Sequence, residues 1–258
     1  MRHTALFLIF LLSMSAESAP TANRPVAVLI HGLGLGGWAM QRVGIALEEV
    51  DYRVINLSYE SRKIPLEELA TSWLPQQLSA HDIDPFDPDE SLNFVTHSMG
   101  GIVLRGWLKS QPAAPAALKR VVMFAPPNQG SSLVDRIGTW KLFKLSTGVN
   151  GARLSTAADA YPRSLGPWPE GPALGIIAGN RPINPLLAHW TGGPGDGKVR
   201  VAETKLEGMT DHIVMPHSHT WIQYRREPIN QVVFFLGRGR FNHPPAAAAD
   251  EVVATHSP

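Results

Sequence analysis

The sequence predicts an α/β domain built on a mainly parallel sheet with helices on both faces, and three observations carry that expectation. Short, continuous apolar runs rich in Val, Ile and Leu recur along the chain, as strands buried on both faces require. Segments with apolar residues at helical spacing alternate with them. At one junction, Leu92-Asn93-Phe94-Val95-Thr96-His97-Ser98-Met99-Gly100-Gly101-Ile102-Val103-Leu104, a strand, a tight turn and a helix follow in immediate succession.

With 258 residues, 44% hydrophobic and 17% charged, the chain can bury a sizeable core and reads as one large domain. Its formal net charge is +1 without basic blocks, so its electrostatics offers no argument for a nucleic-acid partner. It has no cysteine, which excludes disulfides, thiolate metal sites and a cysteine nucleophile.

Residues 1–18 join a basic start, Arg2, to the apolar run Ala5-Leu6-Phe7-Leu8-Ile9-Phe10-Leu11-Leu12 and the small residues Ala16 and Ser18. That is the pattern of an export signal cleaved after Ser18, so the mature chain is expected in the periplasm or outside the cell. The alternative is an uncleaved anchor, but the apolar run is well short of the roughly 20 residues that span a bilayer.

The mature chain opens with a buried strand over residues 25–30, ending in the glycine-rich loop His31-Gly32-Leu33-Gly34-Leu35-Gly36-Gly37-Trp38. The loop lacks the Gly-Lys-Ser/Thr ending of a P-loop and the acidic ribose ligand of a dinucleotide site. It fits an oxyanion loop instead, where glycines turn backbone N–H groups toward developing negative charge, with Leu33 as the donor. An amphipathic helix over 38–50 (Met40, Val43, Leu47, Val50), a strand over 52–57 and a second helix over 65–78 follow. Residues 82–89, rich in Asp and Pro, form a surface loop leading to the central strand.

That strand enters the Ser98 turn. A serine held on a sharp strand-to-helix corner is a nucleophile elbow, its hydroxyl standing clear of the backbone. Residues two before and two after the serine face each other, so both should be small; Gly100 is, and Thr96 stands where glycine is usual. The plainer alternative is that Ser98 only caps the following helix.

Beyond it, residues 118–125 form a buried strand ending in Pro126-Pro127-Asn128-Gln129-Gly130-Ser131. Over residues 132–172 the strand pattern lapses, and an amphipathic, aromatic stretch at 135–145 reads as a helical insertion forming a lid or an apolar wall of the pocket. A strand at 173–178, a long loop at 179–197 carrying Asp196, a short strand at 211–216 and a closing helix at 228–236 complete the domain. Residues 242–258, with an alanine run and prolines, read as a disordered tail.

A serine hydroxyl is a poor nucleophile at neutral pH and needs a histidine to take its proton and a buried acid to hold that histidine's tautomer. On an elbow scaffold the chain order is serine, acid, histidine. Of ten histidines, His3, His243 and His256 fall in terminal segments, and His31 and His97 are fixed by the loop and the elbow as supports. His189 lies in the long loop and His212 starts a strand at the sheet's far end. Between His217 and His219, on the loop after that strand, His219 is favoured because it stands just before the closing helix. Asp196, in the turn Gly193-Pro194-Gly195-Asp196-Gly197, is favoured over Asp211, which is too close to the last strand to reach round it.

Together, His31-Gly32-Leu33-Gly34, Thr96-His97-Ser98-Met99-Gly100-Gly101, Gly195-Asp196-Gly197-Lys198-Val199 and His217-Ser218-His219 resemble motifs of the α/β-hydrolase superfamily, within it the small bacterial lipases and esterases, over residues 25–241. Two features depart from the pattern: Thr96, and a loop before Asp196 longer than in compact members. The resemblance implies an α/β-hydrolase fold and cleavage of carboxylic esters by Ser98, Asp196 and His219, with no metal or cofactor. The N–H groups of Met99 and Leu33 would receive the oxyanion. It implies small-molecule or lipid ester substrates, transient contact with a lipid interface and a monomeric chain. Acyl transfer or amide cleavage by the same residues, and a secreted lipid-binding protein without chemistry, are the alternatives.

Overall fold

The computed structural model describes residues 24–243, so the expected export signal at 1–18 and the chain beyond residue 243 lie outside the described residues. Six strands, β1 (Val26–Ile30), β2 (Arg53–Leu57), β3 (Leu92–His97), β4 (Leu118–Phe124), β5 (Ala173–Gly179) and β6 (Asp211–Met215), form one parallel sheet in the order β2-β1-β3-β4-β5-β6. The order reverses direction at the β1–β3 pair. Open parallel sheets bind their ligands beyond the strands' carboxyl ends at such a reversal.

The continuous apolar runs are explained by two cores, one on each face. Along β1, Val26, Val28 and Ile30 face one cluster, while Ala27 and Leu29 face the other. The first cluster takes in α2 (Leu66–Glu68), α3 (Leu74–Ala80) and α4 (Met99–Ser110). The second takes in α1 (Gln41–Glu48) and the final helix, which spans Arg226–Arg238. Burying each Leu, Ile or Val of these clusters contributes about 1.5–3 kcal/mol.

Element boundaries depart from the sequence expectation in instructive ways. The helix expected over 38–50 starts as a 3-10 turn, Gly37–Met40, and stops at Glu48, leaving Val50 exposed in a turn. The helix expected over 65–78 contains a π-helical stretch, Leu69–Trp73, between α2 and α3. Asn242 and His243, assigned to the tail, are held: Asn242 exchanges two hydrogen bonds with the Gln231 side chain, and His243 pairs with Asp211.

The insertion at 132–172 is helical, with α5 (Ser132–Ile137), α6 (Lys141–Thr147), a 3-10 turn (Gly151–Leu154) and α7 (Tyr161–Ser164). Gly138-Thr139-Trp140 breaks the single amphipathic stretch in two. Its anchor is the fully buried Asn150, whose side chain accepts from the Leu66 N–H and donates to the carbonyls of Ser61 and Ile64. The loop at 179–197 is not wholly irregular, because Pro185–Thr191 forms helix α8. Its prolines and glycines hide that short helix from a reading by periodicity. A further short helix, α9 (Val201–Thr204), precedes β6, and Arg226–Arg238 is α10.

Candidate active site

Ser98 sits between β3 and α4 with φ 52° and ψ −121°, a left-handed backbone that a non-glycine residue adopts only at a cost of roughly 1–3 kcal/mol. A helix cap needs extended, unstrained backbone, and Ser98 makes no side-chain capping bond. The corner closes tightly against the preceding loop. A Cβ on Gly100 would lie 2.5 Å from the Ile30 carbonyl oxygen, and one on Gly32 would lie 3.1 Å from the Ser98 Cβ. Thr96 fits because Gly101 leaves room beside it, where a Cβ would lie 3.2 Å from its hydroxyl oxygen; among the described residues that buried hydroxyl finds no partner.

The three residues singled out from the sequence meet. His219 Nε2 lies 2.8 Å from Ser98 Oγ, and His219 Nδ1 lies 2.7 Å from Asp196 Oδ2. Asp196 is nearly sealed from solvent, and its other oxygen accepts the Lys198 and Val199 N–H groups at 2.9 and 2.8 Å. The His219 N–H in turn donates to the Asp196 carbonyl, tying the two loops together. This arrangement leaves Nδ1 as donor to the carboxylate and Nε2 free to accept the serine proton.

The rejected candidates lie elsewhere. His217 faces Glu227 at 3.9 Å, and His212 bonds the Thr204 hydroxyl. Asp211, at the opposite end of β6, holds the Phe241 N–H and His243. His97 donates through Nε2 to the His219 carbonyl at 3.0 Å, and burial, reinforced by the neighbouring His219, pushes its pKa well below the usual 6.5.

Leu33 and Met99 flank the serine. Met99, as the first residue of α4, has no intrahelical acceptor for its N–H. Among the described residues no hydrogen bond uses the Leu33 N–H. The loop bearing Leu33 is fixed by contacts that sequence reading did not find. His31 donates through Nδ1 to the Gly32 carbonyl, accepts the Tyr59 N–H at Nε2 and stacks on the Tyr59 ring at 4.2 Å. Tyr59 Oη donates to the His31 carbonyl, and the Gly34 N–H donates to Ser61 Oγ. Desolvation lowers the His31 pKa, which keeps the ring neutral for this pattern. Partners 27 or 28 residues apart leave no local signal.

A cavity of about 390 Å³ opens onto Ser98 and His219. Leu33, Leu133, Val134, Phe143 and Leu154 give it an apolar wall, four of them from the insertion. Among the described residues no group of three or more His, Asp or Glu side chains could hold a metal ion, and no helix is long and apolar enough to cross a membrane.

The sequence matches no protein-family model and no curated protein. Its structure is similar to that of phospholipase PlaB from Legionella pneumophila, with a TM-score of 0.67 at 19% identity, covering 91% of this chain and 63% of that one. The chain therefore spans less than two thirds of PlaB. It is similar to the mature form of Bacillus licheniformis lipase BlEst2 (TM-score 0.58, 17% identity, 86% of this chain and 94% of that one). A third likeness is to the metagenomic carboxyl esterase MGS0156 (TM-score 0.57, 17% identity, 78% and 66%). With these likenesses beside the six-stranded parallel sheet and its elbow, the chain has the α/β-hydrolase fold.

Proposed function

We propose that this protein is a serine hydrolase of carboxylic esters. The observation that carries the reading is the unbroken hydrogen-bonded line from Ser98 Oγ through His219 to Asp196, at 2.8 and 2.7 Å. His219 removes the Ser98 proton as the oxygen attacks the ester carbonyl, and Asp196 steadies the imidazolium. The N–H groups of Leu33 and Met99 receive the oxyanion, and the N-terminus of α4 adds a favourable dipole. One such donor is worth about 3 kcal/mol of transition-state stabilisation. His219 then protonates the leaving alcohol, and water repeats the sequence to release the acid.

The apolar cavity supports an acyl-binding role, with the insertion at 132–172 as its wall. The lipase, phospholipase and carboxyl esterase named among the similar structures support an ester as substrate. An exported enzyme acting on lipid or small-molecule esters as a monomer fits the signal pattern at 1–18. Ser98→Ala is the test: hydrolysis of p-nitrophenyl esters falls to background while circular dichroism stays that of the parent. Persistence of parental turnover overturns the assignment.

A further inference from the structure

The cavity that holds Ser98 also holds one charged side chain, Lys198, among its described lining residues, and no carboxylate lines it. Lys198 follows Asp196 by two residues, and its backbone is committed: the N–H serves Asp196 Oδ1 and the carbonyl accepts from Ser131 Oγ. Its ammonium is not committed. Among the described residues it forms neither a hydrogen bond nor an ion pair. Asp196, the nearest acid along the chain, already takes two amides on one oxygen and His219 on the other, and it is buried. Lys198 keeps exposed surface, and partial desolvation lowers its pKa from the usual lysine value, with the Asp196 charge opposing.

A cation with no protein partner among the described residues, lining the cavity that holds Ser98, is open to an anionic group of the substrate, and a charge-assisted hydrogen bond is stronger than one between neutral groups. The insertion beside the cavity adds Arg136, Lys141 and Lys144, against the single acid Asp135 over residues 132–145; Arg153, further along, is paired with Glu67. Lys198 is therefore the cation that faces an anionic substrate group inside the cavity, with a modest excess of positive charge along the insertion outside it.

The anion must belong to a molecule that also places an ester at Ser98 and an apolar chain in the cavity. A phosphate on the glycerol carbon next to the ester-bearing one meets that demand. We propose, resting on the hydrolase reading above, that Lys198 binds the phosphate of a glycerophospholipid and so selects phospholipid over neutral glyceride esters.

The experiment compares dihexanoylphosphatidylglycerol with dihexanoylglycerol, both as monomers below aggregation, in the full protein and in Lys198→Gln, Lys198→Glu and Lys198→Arg. The ratio of kcat/KM for the phospholipid to that for the diacylglycerol falls about tenfold in Lys198→Gln. It falls further in Lys198→Glu and is largely kept in Lys198→Arg. A ratio that stays constant, whether both substrates slow together or neither does, overturns the proposal. Fluorophosphonate labelling of each variant separates the failures. A labelled Ser98 with an unmoved ratio sinks the role of Lys198 alone, whereas a parent protein that does not label sinks the hydrolase reading and this proposal with it.

Discussion

His97 and His31 are both buried imidazoles with lowered pKa values, and both work as neutral hydrogen-bonding groups. The sign of the resulting pH dependence follows directly. With the folded-state pKa below 6.5, the unfolded chain takes up the proton first as pH falls, so stability is complete above about pH 6.5 and declines below it. Thermal melts between pH 7.5 and 5 therefore show a falling midpoint, and His97→Gln flattens that slope even if its midpoint at pH 7.5 is lower. The sequence marked His97 as a support from its place beside Ser98. It could not show that the supported group is the His219 carbonyl, because that bond joins residues 122 positions apart.

At the scale of the element, the elbow is the most constrained piece of the chain. Gly100 must be glycine because its missing Cβ would meet rigid backbone, the Ile30 and His31 carbonyls at 2.5 and 2.8 Å. Gly101 is different, since its nearest neighbours are the side chains of Met123 and Thr96 at 3.1 and 3.2 Å, which can shift. Gly100→Ala is expected to destabilise by about 1–3 kcal/mol or more, and Gly101→Ala by clearly less, in urea unfolding followed by tryptophan fluorescence. Strand, turn and helix here were legible because local composition and required geometry coincide. Helix α8 was not, since Pro, Gly and Asn in its surroundings look like loop; the Asn184 side chain accepts the Leu186 N–H at its start, and the helix packs against α5.

For the whole molecule, the sheet does the work of convergence. Leu33 follows β1, Ser98 follows β3, and Asp196 and His219 lie on the connections after β5 and β6, so all four reach the carboxyl edge of one parallel sheet. The chain order of serine, acid and histidine made that meeting point readable from the sequence. The cavity wall was readable only as an insertion of helical character, since which of its residues face inward depends on Asn150 docking it to the loop at 61–66. Leu142 and Leu145, apolar in the pattern, lie exposed on α6 instead.

Intact-mass analysis after treatment with a fluorophosphonate tests the central claim most directly. A hydroxyl activated by His219 gains a single phosphonyl adduct, peptide mapping puts it on Ser98, and His219→Ala slows its formation by orders of magnitude. An unmodified protein, or an adduct on another residue that forms as fast without His219, would contradict the account.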